Sequence, residues 1–273
     1  MLMRLLRIAV AAITVVTVVL FGIVYAKEKI TTDKTYPVIK VEDGVLEVKT
    51  SAKEKDLLQG VTATDGKDGD ITDRVLVASI SKFSEIGYCK VTYAVSDSDN
   101  HVTTAKRQIH YTDYKAPRFK MNRPLLFSVQ EDVNVVGIVG ARDSLDGDIS
   151  NSVIIYSPDY EVGIEGKYTI QANVMNSKGD TAQVSLPLVV ERTSLSPAEI
   201  ELKEYLIYCE RGKMPDFKSY IKQTYDSFGV LAKFDVTIQT DFNAKKKGTY
   251  AVDYHGTDAE GHAAHTRLLV IVE

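Results

Sequence analysis

An all-β chain, three tandem antiparallel sandwiches behind one N-terminal transmembrane helix, is the architecture predicted by this 273-residue sequence. Three observations predict it. Residues 8–26, IAVAAITVVTVVLFGIVYA, form a 19-residue apolar run without a charge. Pro37, Pro117 and Pro197 recur at a spacing of 80, each opening a stretch that alternates apolar and polar residues. Near the end of each unit a glycine introduces strict alternation: GYCKVTYAVSD from Gly87, GKYTIQANVMN from Gly166 and GTYAVDYHGTD from Gly248, at spacings of 79 and 82.

The apolar run is long enough to cross a bilayer, about 28 Å at 1.5 Å per residue. Arg4 and Arg7 precede it and the mixed KEKITTDK follows, so the positive-inside bias leaves residues 1–7 in the cytoplasm and sends everything after Ala26 outward. Val24 and Ala26 are small enough for a cleaved signal peptide, but the run exceeds the usual h-region, which favours an uncleaved signal-anchor. A linker over 27–35 then leads to modules at 36–113, 114–192 and 193–273. Their short connections, TDYKA and ERTSLS, predict a semi-rigid rod.

Within each module, period-2 alternation and the turn signals SDSDNH, NSKGD and DAEGH predict antiparallel strands. The segment DFKSYIKQTY, residues 216–225, is at most a short helical turn. A type I turn over Asp258–Gly261 fixes the last hairpin's register. Tyr250 then opposes Val270 and Val252 opposes Leu268 on a buried face. Asp253 opposes Arg267 and His255 opposes His265 on a face expected to be wet.

The formal net charge of −4 becomes −6 without the two N-terminal arginines, which disfavours nucleic acid as a partner. Cys89 and Cys209 are the two cysteines and read as small buried hydrophobes. No GxSxG, HExxH or phosphate loop is present, so no enzymatic activity, catalytic residue or cofactor is expected. Lys245, Lys246 and Lys247 read as a solvated loop, a polyanion site being the alternative. His255, His262 and His265 cluster on the last hairpin, where zinc is the alternative to a plain histidine face. The acidic turns TDGKDGDITD and RDSLDGDISN admit two readings. Asp65, Asp68, Asp70 and Asp73, and then Asp143, Asp146 and Asp148 joined by Asp113 from the linker, are hard oxygen ligands suited to calcium. The same residues are also what tight turns need for capping backbone N–H groups. The spacing does not fit an EF-hand.

The run GVTATDGKDGDITDRVLV, the glycine-led aromatic alternation, Asp97 and KRQIHY together resemble the bacterial Ig-like domain of the pesticidal-crystal-protein type, with HYR and cadherin-like relatives. The resemblance covers residues 36–273. The second copy departs from it at Ala172 and Asn176, and the third replaces the DGD corner with DSFGVLAKFD. It implies tandem Ig-like sandwiches on a bacterial surface protein acting in adhesion, recognition or spacing, with a protein or cell-surface glycan as partner. The alternatives are a calcium-stiffened adhesin and a non-catalytic subunit or scaffold of an envelope complex.

Overall fold

In the computed structural model, which describes residues 2–31, 34–156, 163–193 and 197–273, each predicted module is a pair of facing sheets built to one plan. Helix α1 (Leu2–Thr31) precedes them. Module 1 contains β1 (Val38–Val41), β2 (Leu46–Val48), the short helix α2 (Glu54–Leu57), β3 (Val61–Asp65), β4 (Gly69–Asp70), β5 (Leu76–Ile80), β6 (Tyr88–Ser96) and β7 (Val102–Tyr111). Module 2 contains β8 (Arg118–Met121), β9 (Leu126–Ser128), β10 (Val139–Asp143), β11 (Gly147–Asp148), β12 (Ile154–Tyr156), β13 (Gly166–Met175) and β14 (Thr181–Glu191). Module 3 contains β15 (Glu199–Leu202), β16 (Leu206–Cys209), β17 (Ile221–Tyr225), β18 (Val236–Thr240), β19 (Gly248–Thr257) and β20 (Ala263–Val272).

The opening strand of every module is split. Its first half pairs antiparallel with the third strand, as β1 with β3, β8 with β10 and β15 with β17. Its second half crosses to the other sheet and pairs parallel with the last strand, as β2 with β7, β9 with β14 and β16 with β20. In module 1 the crossing turns at Gly44, whose φ of 100° lies in the region open to glycine. The two sheets are thus laced together at one edge by a single segment of chain.

α1 is longer than the apolar run that predicts it. The sequence KEKIT carries no proline or glycine, so the helix continues through residues expected to be linker, to Thr31. Its apolar stretch, Leu6–Lys27, is 22 residues long and none of it is buried. Residues 32–33 and 194–196 of the expected linkers lie outside the described residues. The 216–225 segment is a 3-10 turn, Phe217–Tyr220, running straight into β17.

The long hairpins carry the cores. Cys89, Val91 and Tyr93 of β6 are fully buried, as are Val252 and Tyr254 of β19. The two tyrosine hydroxyls reach carbonyls on the facing side: Tyr93 donates to Leu57 in α2 at 2.7 Å and Tyr254 to Phe217 at 2.8 Å. Module 2 has Ala172 there. Both cysteines are free and buried.

The last hairpin has the predicted register, with Tyr250 opposite Val270, Val252 opposite Leu268, Asp253 opposite Arg267 and His255 opposite His265. Gly261 closes its turn at φ 90°. The expectation of a wet outer face fails, however. Arg267 is only 6% exposed and Leu269 is fully buried, because module 2 covers that face. Leu206 and Leu269 share one buried cluster with Phe119 and Leu188, and Ala251 and Ile271 pack against it. The Phe119 amide donates to the Tyr208 hydroxyl at 2.8 Å, and the Arg118 guanidinium lies 4.7 Å from the centre of the Tyr208 ring.

The chain polarity gives the arrangement. Arg118 opens module 2 and pairs with Glu273, the last residue of module 3. Glu191 closes module 2 and meets His265, near the start of β20, at 2.9 Å. Module 3 therefore folds back alongside module 2 in the opposite direction, and residues Asp113–Glu273 form one compact unit, distinct from Met1–Thr112. For these two modules the rod expectation does not hold.

His265 is the polar centre of that contact. Its Nδ1 faces Glu191 and its Nε2 lies 3.1 Å from Asp253, which also accepts from Arg267 Nε at 2.6 Å and Nη2 at 3.0 Å. Desolvation opposes the charged imidazole, but the Asp253 and Glu191 carboxylates outweigh it and raise its pKa to about 9. The His255 ring stacked on it at 4.3 Å is pushed the other way, by burial and by the neighbouring positive charge. Since His265 has a folded pKa above its usual 6.5, its contribution is complete below that value and disappears as pH rises through about 9. Thermal unfolding of the full chain is expected to lose stability over this alkaline window, and His265→Gln to flatten that loss while lowering stability at pH 6 by about 1–3 kcal/mol.

Candidate functional site

Each aspartate of the DGD corner has its own task, and the two copies repeat the tasks residue by residue. The first aspartate caps its own turn: Asp65 Oδ1 accepts from the Lys67 and Asp68 amides at 2.9 Å, and Asp143 Oδ1 from the Leu145 and Asp146 amides at 2.8 and 3.0 Å. The second reaches across to the turn of the final hairpin. Asp68 accepts from the Ser98 amide and hydroxyl at 2.8 and 2.7 Å, and Asp146 from those of Ser177 at 2.6 and 2.8 Å. The third caps the following 3-10 turn, Asp70 at the Thr72 amide and Asp148 at the Ser150 amide, both 3.0 Å. Between second and third stands a left-handed glycine, Gly69 at φ 74° and Gly147 at φ 73°. The isoleucine that follows, Ile71 or Ile149, is buried. The motif is thus a clip joining two sequence-distant turns, with an apolar plug beneath.

Electrostatics follow from these contacts. The Ser98 hydroxyl and then Arg74, 2.6 Å away, hold the Asp68 carboxyl below its usual range. Lys120 at 2.6 Å, followed by Ser150, does the same for Asp148.

The hairpin turn has a matching device. Asp97, Asn176 and Asp258 each accept, through one oxygen, from the amides two and four residues later: Asp99 and His101, Lys178 and Asp180, Glu260 and His262. Asn176 therefore does the capping that the family pattern assigns to aspartate. In module 3, which lacks the DGD corner, the tie runs in reverse, the Ser227 amide donating to Asp258 at 3.2 Å. Its replacement turn is capped by Asp226, which accepts from Phe228 and Val230.

These corners also receive the incoming chain. From the linker, the Tyr114 hydroxyl lies 3.4 Å from Asp143 Oδ2, donates to Asp180 at 2.6 Å and accepts from Asn176 Nδ2 at 2.8 Å. Burial, then the Asp180 carboxylate, pushes its phenol far above the usual range. Lys115 and Ser144 exchange two hydrogen bonds of 2.9 Å. In module 1 the Tyr36 ring packs 4.7 Å from His101. One difference separates the copies: Asn176 Nδ2 serves Asp143 Oδ2 at 3.1 Å, whereas Asp97 turns its second oxygen to His101. Asp65 Oδ2 is left buried without a partner among the described residues.

The predicted histidine cluster divides. His255 and His265 stack at the interface described above, and His262 turns to Asp258 at 3.1 Å. Among the described residues, no three His, Cys, Asp or Glu side chains come together in a way that could hold a metal ion. The serine ends of the clips, Ser98 and Ser177, and Tyr114 were not legible as site residues. Their signal is the shared step Asp-Ser or Asn-Ser at the hairpin turn, 97–98 and 176–177.

The clips are expected to act as hydrogen-bonded ties. Asp68→Ala or Asp146→Ala should lower the denaturant midpoint of the chain, and Ser98→Ala should lower it by less, since the backbone amide bond survives it. Tyr114→Phe should cost about 1 kcal/mol or more by leaving Asn176 and Asp180 short of a partner. Denaturant titration checks both, and a tie made this way keeps its value in the presence of a calcium chelator.

Residues 55–110 match the family model described as "Bacterial surface protein, Ig-like domain". The "Pesticidal crystal protein Cry22Aa" of Bacillus thuringiensis is 26% identical over 218 residues, covering 77% of this chain and 29% of that protein; the chain thus spans less than a third of this relative's length. Solved structures with similarity include the M60 catalytic domain with two CBM51 domains of Clostridium perfringens ZmpB, at 15% identity, covering 88% of this chain and 31% of that one, with a TM-score of 0.22. Drosophila N-cadherin EC1-4 matches at 12% identity over 78% of this chain and 63% of that one, TM-score 0.23. Residues 55–110 carry the signature of the bacterial surface Ig-like domain, and β8 to β20 repeat the split-strand plan of that module twice more.

Proposed function

We propose that this chain is a membrane-anchored extracellular surface protein whose Ig-like modules work in adhesion or recognition, without chemistry of their own. The observation that carries the reading is α1: a fully exposed apolar stretch, Leu6–Lys27, attached to a module of bacterial surface type. An apolar helix of that length left in water is costly, and a bilayer removes the cost. Arg7 at its N-terminal side supports an inward N-terminus. Among the roles such modules serve, the fold-back of module 3 favours recognition over spacing. A spacer gains from length, and laying one module beside another shortens its reach.

Labelling of intact cells with a membrane-impermeant maleimide tests this. Cys89 and Cys209 are buried, so native background should be low. Ser79→Cys, at an exposed position, should label on whole cells and Met3→Cys only after lysis. Protection of position 79 would reverse the orientation, and release of the modules into the medium would replace the anchor with a cleaved leader.

A further inference from the structure

At the end of module 3 that holds Cys209 and Glu273, two loops far apart in sequence meet. Residues 210–216 lead from β16 to the 3-10 turn that precedes β17, and residues 241–247 join β18 to β19. The Gly212 amide donates to the Ala244 carbonyl at 2.8 Å, and Arg211 Nε donates to the Lys245 carbonyl at 2.7 Å. Gly212 sits at φ 84°, where a side chain would be strained. The Lys246 carbonyl accepts from the Tyr250 hydroxyl at 2.9 Å, and the Lys245 amide donates to Asn243 Oδ1 at 3.0 Å. The loops are stitched to each other and to the hairpin rather than loosely solvated.

The stitching brings Arg211 and Lys213 beside Lys245, Lys246 and Lys247, all five exposed. Lys213 is matched by Glu210 at 2.6 Å. Nearby, Asp216 caps the Lys218 amide, and Asp241 opens the second loop. Among the described residues, Arg211 and the three consecutive lysines take part in no ion pair. Holding four unmatched cations in two locked loops costs self-repulsion, which a polyvalent anion would relieve.

We propose that this end of module 3 is a docking surface for a linear polyanion carrying phosphodiester groups. The whole chain is net negative, −4, so long-range attraction for such a polymer exists only at a local positive end and orients the encounter there. The lysines supply hydrated point charges on mobile stems, suited to a chain of phosphates without a fixed shape. Arg211 spends only Nε on Lys245, leaving its terminal nitrogens for a bidentate phosphate contact. Met214, 70% exposed, is the one large apolar side chain on these loops left open to solvent, too little for insertion into a lipid surface.

The test uses the full chain in neutral detergent and fluorescein-labelled synthetic poly(glycerol phosphate), followed by anisotropy, and does not depend on which side of a membrane the modules occupy. Binding at low salt that weakens as salt rises is expected. The K245Q/K246Q/K247Q variant should bind at least roughly tenfold more weakly with its unfolding temperature unchanged, and R211Q, which also gives up the bond to the Lys245 carbonyl, several-fold more weakly. K40Q/K82Q/K106Q, the same charge change on exposed positions of module 1, should stay within about twofold of the parent. Failure to bind at low salt, or equal weakening by the module 1 variant, overturns the proposal. So does tighter binding to vesicles of phosphatidylcholine and phosphatidylglycerol than to the polymer, which would make the surface a lipid-headgroup site instead.

Discussion

Each module rests on one constraint: the inward residues of its final hairpin must be buried, and that hairpin alone has only one side to offer. In module 1 Cys89 faces Ile109 across the hairpin with Val91 and Tyr93 buried along the same strand, and in module 3 Val252 and Tyr254 share one buried cluster with Leu268 and Val270. Burying such a face gains about 25 cal/mol per Å² of apolar surface, which requires a second sheet above it. The split opening strand supplies the link, donating its first half to one sheet and its second half to the other. A sandwich of only about eighty residues, without a disulfide, is then closed by backbone pairing rather than by covalent ties.

The polar corners solve the problem this creates. Where the chain turns at the top of the sandwich, backbone amides lose their ladder partners, and each must find an acceptor. Asp65, Asp70, Asp97 and their counterparts meet that need locally, while Asp68 and Asp146 convert a local cap into a bond between the two sheets' turns. Asp65, Asp68, Asp70, Asp143, Asp146 and Asp148, which also suggest a calcium clamp, are thus engaged as acceptors. Module 3 reaches the same closure without the motif, by reversing the direction of the tie through Asp258. What is retained across the copies is the bond between the turns, not the residue that makes it.

The pairing of modules 2 and 3 changes what the surface can present. In module 1 the outer face of the hairpin carries Lys90, Lys106 and Gln108, exposed polar residues. The corresponding face of module 3 carries Ala251, Leu269 and Ile271 and packs on module 2. The polar residues caught in that contact, Asp253, His265 and Arg267, survive burial because each has an opposite charge within hydrogen-bond reach.

Fold class, the three-fold repeat and the register of the last hairpin were legible in the sequence because they are local: period-2 alternation, recurrent turn residues and a left-handed glycine act within a few residues of where they are read. The capping roles of the aspartates were legible as turn chemistry for the same reason. The clip partners Ser98 and Ser177, the Tyr114 latch and the meeting of Arg211 with Lys245 were not, since each joins positions about thirty or more residues apart. The wet face assigned to Asp253 and His265 failed although its pattern was correct, because alternation says that two faces differ and not what covers the second one. One signal was present: LLVIV at 268–272 and LPLVV at 186–190 are unbroken apolar runs where module 1 has KRQIHY, as expected of strands buried on both sides. Only the tertiary structure decided that these two strands' modules cover each other, because the partner of an apolar face is chosen by contacts among distant residues rather than by the strand that bears it.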